Sequence, residues 1–432
     1  MRTPPGAGPA GPRRYERGWS GRALRERLER ARRTDWDFTR GRIFGSLCTE
    51  PALAGRAWID PFRNANLGNP GLCPGSSLLQ EELVEELLTL YHAPREGAGG
   101  WLVSGATEAN VTALWTFRNL TGGREVVLPK SAHFSFVKAL DLLGLAPRWV
   151  RVDGAGRMDI AQARRAIGRR TAALVGLAGS TELGAVDPLE ELSEMALRTG
   201  VPLHVDAAIG GFLLPFLPEE ERRRLPFDFS LPGVRSVASD PHKLGRAPIP
   251  SGILLFRNLE ETRAIEVPSP YLSDPRSRGL LGTRPSFAVA STFAALRSAG
   301  WEGLREQTRR LRGLVQRLLE GGQRLGLEPV TDPRLNVVAF LHPDPRVLQA
   351  ELLERGWDVS LVQEPRALRF VLMPHARPAT VDGLLRELSR ALARHRRDRG
   401  GEEARLNRVR RPDRGSVRRS GRGSSGHRSA AG

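Results

Sequence analysis

Short apolar segments alternate with helical patterns along residues 99–257, and this alternation constrains the fold more than any other feature of the sequence. The segments have the length of buried strands, and the stretches between them, such as 107–119 and 187–199, follow the spacing of helices. Strands that alternate with helices along a chain form a parallel sheet covered by helices. We therefore predict an α/β fold with a largely parallel sheet. Its strand segments are EVVLP (125–129), PRWVRV (147–152), AALVGLAG (172–179), PLHVDAA (202–208) and GILLF (252–256).

The pattern changes near residue 285, which indicates a second and smaller domain. A long helix is predicted over residues 286–322, and the strand-like segments NVVAFLH and ALRFVLMPH follow it. At the other end, residues 20–33 are expected to form a charged amphipathic helix. The predicted parts are an N-terminal segment (1–60), a large domain (61–285), a small C-terminal α+β domain (286–393) and a disordered Arg-rich tail (394–432).

The formal net charge of +18 lies mainly at the two ends of the chain. Residues 1–34 contain 10 Arg against 3 acidic residues, and residues 394–432 contain 13 Arg against 4. The body of the chain is therefore close to neutral, which argues against nucleic-acid binding as the main role. The basic tail could still bind RNA weakly, although a solvated tail is the simpler interpretation.

Two cysteines, Cys48 and Cys73, cannot form a disulfide framework in a chain of 432 residues. The N-terminus shows no secretory signal, and no apolar run is long enough to span a bilayer. We therefore expect a protein of the reducing cytoplasm that does not enter the membrane.

Lysine is rare in this sequence, and its rarity points to one residue. Of the 66 basic residues, only Lys130, Lys138 and Lys243 are lysines. Arginine stays protonated and cannot act as an amine nucleophile, so a retained lysine is a candidate for chemistry that needs a primary amine. Lys243 lies in SDPHKLG, directly after the apolar segment VRSVAS, where Ser239 and His242 could contact a phosphate. The alternative for this His–Lys pair is a polar surface.

Three further segments could complete a site around this lysine. SGATEAN (104–110) could direct backbone N–H groups and the Thr107 hydroxyl at a phosphate, although a turn with a helix cap uses the same residues. HVDAAIGGF places Asp206 at the end of a strand, where it could pair with a pyridine nitrogen or cap a turn. Ala207 and Ala208 would let a flat ring lie against the chain. His133 could stack on that ring or be structural.

Together these segments predict a site for pyridoxal 5′-phosphate (PLP), held as a Schiff base by Lys243. They would supply a phosphate cradle, a platform for the ring, a counter-ion for the ring nitrogen and an amine. This combination predicts an enzyme that acts on amino acids.

The chain resembles the group II PLP-dependent decarboxylases, and its closest similarity is to the archaeal L-tyrosine/L-aspartate decarboxylases. The resemblance covers roughly residues 20–390 and rests on motifs in the family's order, namely NLGNPGLCPGSSLLQEE, SGATEAN, HFSFVKA, GSTELGAVDP, HVDAAIGGF, FDFSLPGV, DPHKLGRAPIPSG, PYL, LGTR and LRFVLMPH. The departures from the family's pattern are Asn69, Ala106, Val137, Ile209 and Arg246, which could alter substrate preference. The resemblance implies the aspartate aminotransferase-like fold (fold type I) and a homodimer with active sites at the subunit interface.

The resemblance also implies a role for individual residues. Tyr271 falls where decarboxylases of this group carry a mobile-loop tyrosine that reaches the partner subunit's site, and we expect it to protonate the substrate Cα. Arg369 is expected to bind the substrate carboxylate, the alternative being an ion-pairing strand arginine. The cofactor contacts implied are Ala106, Thr107 and His242 to the phosphate, His133 and Asp206 to the ring, Thr181 near the ring oxygen, and Lys243 as the Schiff-base lysine.

The resemblance implies decarboxylation of an L-amino acid, with two candidate substrates. Tyrosine would give tyramine for methanofuran, and aspartate would give β-alanine for coenzyme A. Two alternatives stay open at this point. One is another lyase of the same fold, either aldolytic or tRNA-linked and cysteine-forming, and the other is an RNA-binding protein that uses its basic ends.

Overall fold

A seven-stranded sheet forms the centre of the large domain and confirms the predicted α/β fold. The computed structural model describes residues 18–409 of the chain. In the strand order β1-β7-β6-β5-β4-β2-β3, β7 runs antiparallel to β1 and β6, and all other pairings are parallel. The strands are β1 (Gly99–Val103), β2 (Glu125–Pro129), β3 (Ala146–Val150), β4 (Thr171–Leu177), β5 (Leu203–Asp206), β6 (Val234–Ser239) and β7 (Gly252–Phe256).

Helices cover both faces of this sheet because alternate strand residues point to opposite sides. In β2, Val126 and Leu128 belong to one core with Phe117, whereas Val127 belongs to the other core with Leu174. Among residues 18–409, no helix is both long and apolar enough to cross a membrane. The helices are α1 (Gly21–Arg32), α2 (Leu53–Arg56), α3 (Pro74–Leu90), α4 (Ala106–Thr121), α5 (Phe134–Leu143), α6 (Ile160–Ala166), α7 (Leu189–Thr199), α8 (Glu219–Arg224), α9 (Ser286–Arg324), α10 (Pro345–Glu354) and α11 (Pro378–Val409).

The small domain contains a three-stranded antiparallel sheet in the order β10-β12-β11. Its long helix α9 was predicted as one helix, but Gly300, at φ 59° and ψ −174°, interrupts it. A two-stranded ribbon precedes α9 along the chain. The strands of these two sheets are β8 (Val267–Pro268), β9 (Arg276–Ser277), β10 (Val337–Leu341), β11 (Ser360–Val362) and β12 (Ala367–Val371).

The N-terminal segment is attached to the small domain rather than separate from it. The amide of Phe44 donates to the Asp358 carbonyl at 2.7 Å, and the Val371 amide donates to the Phe44 carbonyl at 2.6 Å. The Phe44 side chain is fully buried in the main core. Burial of this side chain and pairing of its backbone explain why the segment lies against β11 and β12.

The C-terminal helix α11 (Pro378–Val409) differs from the predicted tail, because residues 394–409 continue the helix instead of beginning a disordered segment. Its first half is nucleated by buried residues that include Leu384 and Leu388. Once a helix is nucleated, extension costs little for residues such as Arg, Glu and Ala. Residues 410–432, the rest of the predicted tail, lie outside the described residues, and RNA binding there stays a prediction.

Candidate active site

The carboxyl ends of β4, β5 and β6 meet at one edge of the sheet and position the predicted site. Asp206 ends β5, where it lies opposite Leu177 of β4 and Ala238 of β6. Lys243 follows shortly after the end of β6. Asp206 and Lys243 therefore follow two neighbouring strands. This edge is where parallel sheets bind ligands.

Lys243 forms an ion pair with a residue that the sequence interpretation did not include in the site. Its Nζ atom lies 2.8 Å from Oδ2 of Asp240. Asp240 is buried, and its Oδ1 accepts a hydrogen bond of 2.7 Å from the Ala106 amide. One carboxylate thus connects the lysine to the first residue of α4. The signal was present in the sequence, since Asp240 precedes Lys243 in the same motif, SDPHKLG.

The N-terminus of α4 faces the segment that carries Lys243. Ala106 is buried, whereas Thr107 at the next position is exposed. A Cβ atom added at Gly105 would lie 3.1 Å from Cε1 of His242, so glycine permits this close approach. Backbone N–H groups at the start of a helix favour an anion. Ala106, Thr107 and His242 therefore surround a place suited to a phosphate.

His242 presents a hydrogen-bond donor at this place. Its Nδ1 accepts from the Ser251 amide at 3.2 Å, so the proton of the neutral ring is on Nε2. Burial lowers the pKa of His242, which favours this neutral form. Ser239, at the end of β6, is fully buried close to the same segment.

His133 stands before α5 as its N-cap, and its Nδ1 accepts from the Ser135 amide at 3.2 Å. Burial lowers the pKa of His133, while the nearby charge of Asp206 raises it and that of Lys243 lowers it. The imidazole therefore lies near both charges. A neutral, partly buried imidazole is suited to stacking on an aromatic ring.

Asp206 is held at both carboxylate oxygens. Its Oδ1 accepts from the Ala208 amide at 3.0 Å, and its Oδ2 accepts from Nδ2 of Asn110 at 2.9 Å. Asn110 lies on α4, inside the SGATEAN motif, but the sequence interpretation gave it no role. Its signal in the sequence was an amide side chain three and four positions after Thr107 and Ala106, on the same face of the helix.

The loop after β4 carries Thr181 at the same edge of the sheet. Ser180 closes the loop, because its amide donates to the Ala185 carbonyl at 2.8 Å and its hydroxyl accepts from the Ala185 amide at 3.1 Å. The buried Asp187 accepts from the amides of Leu177 and Met158 at 2.9 and 2.7 Å. These bonds fix the position of Thr181 relative to β5.

Arg369, on β12, is a buried cation with incomplete hydrogen bonding. Its Nη1 donates to Oγ of Ser360 at 2.8 Å and to the Gly45 carbonyl at 3.3 Å. Its Nε and Nη2 are buried and have no hydrogen-bond partner. Burial lowers the pKa of Arg369 to about 10, and the carboxylate of Glu182, in the loop after β4, opposes that shift. A guanidinium with two free donors is suited to a carboxylate ligand.

Tyr271 lies on an exposed segment and not at the sheet edge that carries Asp206 and Lys243. It lies between β8 and β9 and is 86% exposed. Its segment is fastened to the loop before α3, because Oγ of Ser273 accepts from the Gly71 amide at 2.8 Å and donates to Oδ1 of Asn69 at 2.9 Å. The phenol is therefore largely exposed to solvent in the described chain.

The residues at this edge fit PLP in their chemistry. They offer an amine, a buried carboxylate held by two donors, a helix N-terminus with a glycine cradle, and a neutral imidazole. PLP has an aldehyde, a pyridine nitrogen, a phosphate and a flat ring that correspond to these four groups.

Comparison with known proteins also indicates a PLP-dependent enzyme. Residues 64–342 match the family model described as the pyridoxal-dependent decarboxylase conserved domain. The chain is 44% identical over 356 residues to a probable L-tyrosine/L-aspartate decarboxylase of Methanothermobacter thermautotrophicus, covering 81% of this chain and 97% of that protein. It is 38% identical over 360 residues to a probable L-aspartate decarboxylase of Archaeoglobus fulgidus, covering 83% and 96%.

Solved structures agree on the fold. A sphingosine-1-phosphate lyase of Burkholderia pseudomallei is similar with a TM-score of 0.81 and 28% identity, covering 94% of this chain and 98% of that one. A glutamate decarboxylase of Lactobacillus brevis has a TM-score of 0.80 at 19% identity, covering 91% and 95%. The match over most of the chain, together with the site described above, shows that this protein belongs to the pyridoxal-dependent decarboxylase family and is a PLP-dependent carboxy-lyase of fold type I.

Proposed function

We propose that the enzyme decarboxylates L-tyrosine to tyramine, L-aspartate to β-alanine, or both. The observation that carries the proposal is Arg369, whose buried guanidinium keeps two donors without a partner. A buried, unpaired donor costs free energy unless a ligand completes it, and an amino acid brings a carboxylate. The names of the archaeal relatives support the two substrates. Tyramine would serve methanofuran synthesis and β-alanine coenzyme A synthesis.

The residues at the sheet edge would divide the work of cofactor binding. PLP, when bound, supplies an electron sink for the electrons of the broken Cα–carboxylate bond. In this proposal Lys243 holds the cofactor covalently and Asp206 keeps a proton on the ring nitrogen, while His133 and Ala208 flank the ring and Thr181 lies near its oxygen. The phosphate would be bound by Ala106, Thr107, Ser239 and His242.

The substrate groups would be oriented by two further residues. Arg369 would bind the carboxylate, and Tyr271 would deliver a proton to Cα after carbon dioxide has left. A proton donor at Cα matters because protonation at another carbon leads to a different product. The orientation of the bond that breaks would therefore be set by the protein and not by the substrate.

A homodimer with shared active sites is part of this proposal. Tyr271 is 86% exposed, and Leu72, from the loop fastened to its segment, is 72% exposed. Large exposed apolar side chains on neighbouring loops indicate a surface that contacts another protein. In a dimer, Tyr271 would reach the site of the partner subunit.

Hybrid dimers test the shared site. Neither Lys243→Ala nor Tyr271→Phe alone should produce amine normally, but a mixture of the two should regain activity, because one hybrid site in each mixed dimer has both residues. Absence of any recovery after subunit exchange, shown by differently tagged chains, would contradict a shared site.

Product analysis tests the substrate. Purified enzyme with PLP is incubated with tyrosine, aspartate and glutamate in turn, and both carbon dioxide and the amine are quantified, with Lys243→Ala as the inactive control. Formation of tyramine or β-alanine with equal carbon dioxide supports the proposal. Aldehyde release from a phosphorylated amino alcohol without carbon dioxide would favour an aldolytic lyase instead.

Cys48 and Cys73 are free thiols, which supports a reducing compartment such as the cytoplasm.

A further inference from the structure

A chain of hydrogen bonds runs from Asp206 into the interior of the large domain. Nδ2 of Asn110 donates to Oδ2 of Asp206 at 2.9 Å, and Oδ1 of Asn110 lies 2.9 Å from Nε2 of His204. Nδ1 of His204 lies 2.7 Å from Oγ of Ser236. Asn110, His204 and Ser236 are fully buried and come from three elements, α4, β5 and β6.

Each proton in this chain has only one consistent position. An ionised Asp206 is an acceptor only, so Asn110 must turn its amide nitrogen toward it and its oxygen toward His204. The Asn110 oxygen needs a donor, which places the His204 proton on Nε2. Nδ1 of His204 is then an acceptor, and the Ser236 hydroxyl donates to it. Every donor in the chain therefore points toward Asp206.

Burial and a further hydrogen bond keep His204 neutral and the Asn110 amide in one orientation. Burial lowers the pKa of His204 to about 3, so its ring is neutral at any pH at which the protein works. The second hydrogen of the Asn110 amide has an acceptor as well, since Nδ2 lies 3.1 Å from Oγ of the buried Ser135. The amide is held at three points and has no freedom to flip. In a low dielectric, hydrogen bonds in series polarise one another and strengthen.

We propose that Asn110 and His204 are positioning residues that keep the Asp206 carboxylate aimed at the ring nitrogen of the bound cofactor. The inference rests on the proposed pairing of Asp206 with that nitrogen. Two donors hold the carboxylate at Oδ1 and Oδ2, and this fixes its rotation. The protonated state of the ring nitrogen would thus depend on residues that never touch the cofactor.

The test measures the ring nitrogen itself. The holoenzyme is reconstituted with PLP labelled with ¹⁵N in the ring, and the ¹⁵N chemical shift reports whether that nitrogen is protonated. Asn110→Ala and His204→Leu are expected to move the shift toward the unprotonated form and to weaken PLP binding by the apoenzyme about tenfold. His204→Gln keeps an N–H donor for Asn110 and is expected to retain the wild-type shift.

Ser236→Ala removes the last donor of the hydrogen-bond chain and is expected to move the ¹⁵N shift in the same direction by a smaller amount. This milder variant still tests the proposal if Asn110→Ala or His204→Leu fails to fold. Thr116→Ala is the matched control, because Thr116 is fully buried on α4 but bonds only within its own helix. It should leave the shift and the PLP affinity unchanged. An equal change in Thr116→Ala would mean that α4 is distorted and would overturn the proposal.

Asp206→Ala separates the inference from the assignment on which it rests. If this variant keeps the wild-type ¹⁵N shift, Asp206 is not the partner of the ring nitrogen. Both the pairing of Asp206 and the positioning role of Asn110 and His204 are then overturned. If it moves the shift while Asn110→Ala and His204→Leu do not, the pairing of Asp206 stands and only the positioning role is overturned. Movement in all three variants, with retention in His204→Gln, supports the proposal.

Discussion

Replacement of Arg369 by methionine separates a substrate contact from a structural ion pair. Methionine has a similar length but neither charge nor donors. In the structure the guanidinium uses Nη1 for Ser360 and Gly45 and leaves Nε and Nη2 without partners. If a substrate carboxylate completes those two atoms, Arg369→Met removes two charge-assisted hydrogen bonds from the bound substrate and few contacts from the fold.

The magnitudes for binding and for folding then differ. Hydrogen bonds to a charged group contribute about 1.5–3 kcal/mol each, so the loss of two corresponds to at least about 3 kcal/mol, or roughly a hundredfold in kcat/KM. Folding loses the two bonds of Nη1, at about 1.5–3 kcal/mol each, but no longer has to bury a charge, and the relief of that cost offsets most of the loss. We expect the free energy of unfolding to change by less than about 2 kcal/mol.

The assay pairs steady-state decarboxylation with thermal unfolding of the holoenzyme. Arg366→Met is the matched control, because Arg366 is an exposed arginine just before β12 and should leave both quantities unchanged. Glu182→Gln probes the alternative, since Glu182 is the carboxylate whose charge acts on Arg369. A substrate-binding Arg369 predicts a much smaller loss of kcat/KM in Glu182→Gln than in Arg369→Met.

A substrate-binding role for Arg369 is excluded if Arg369→Met keeps kcat/KM within about threefold of the wild type while its Tm falls. That result, together with a similar fall in Glu182→Gln, would identify Arg369 as a strand arginine that pairs with Glu182 for stability.

Three other predictions follow from the same geometry. Lys243→Arg should keep a cation beside Asp240 yet lose activity, and borohydride reduction of the wild type followed by peptide mapping should place the cofactor on Lys243 alone. Tyr271→Phe should divert the reaction toward decarboxylation-dependent transamination; normal amine yield and rate would contradict its role as the proton donor. His204 has a pKa of about 3 in the fold, below its unfolded value, so it destabilises the native state as pH falls below about 6.5. Denaturant titrations should show that lowering the pH from 8 to 5 costs the wild type about 2 kcal/mol more than His204→Gln, and equal losses would count against a buried, neutral His204.

Local patterns in the sequence predicted most strands and helices of the large domain, although they missed the interruption of α9 at Gly300 and the length of α11. EVVLP and GILLF coincide with β2 and β7, and the predicted helix 107–119 lies within α4 (Ala106–Thr121). The rarity of lysine predicted Lys243 as the Schiff-base lysine, and the position of Asp206 after an apolar strand predicted it as the partner of the ring nitrogen. These features are local, since strand and helix periodicity and motif spacing depend on residues close together in the chain.

Only the tertiary structure decided which distant residues complete these groups. Asn110 is 96 positions from Asp206, and the Ala106 amide is 134 positions from the Asp240 carboxylate that it binds. The attachment of Phe44 to the small sheet and the two free donors of Arg369 are likewise contacts between distant segments. Such contacts depend on strand register and on the approach of helices to the sheet, which no local spacing encodes. Local sequence patterns were therefore enough for the fold class and for the prediction of the site residues, whereas the packing of distant elements sets which buried groups contact those residues.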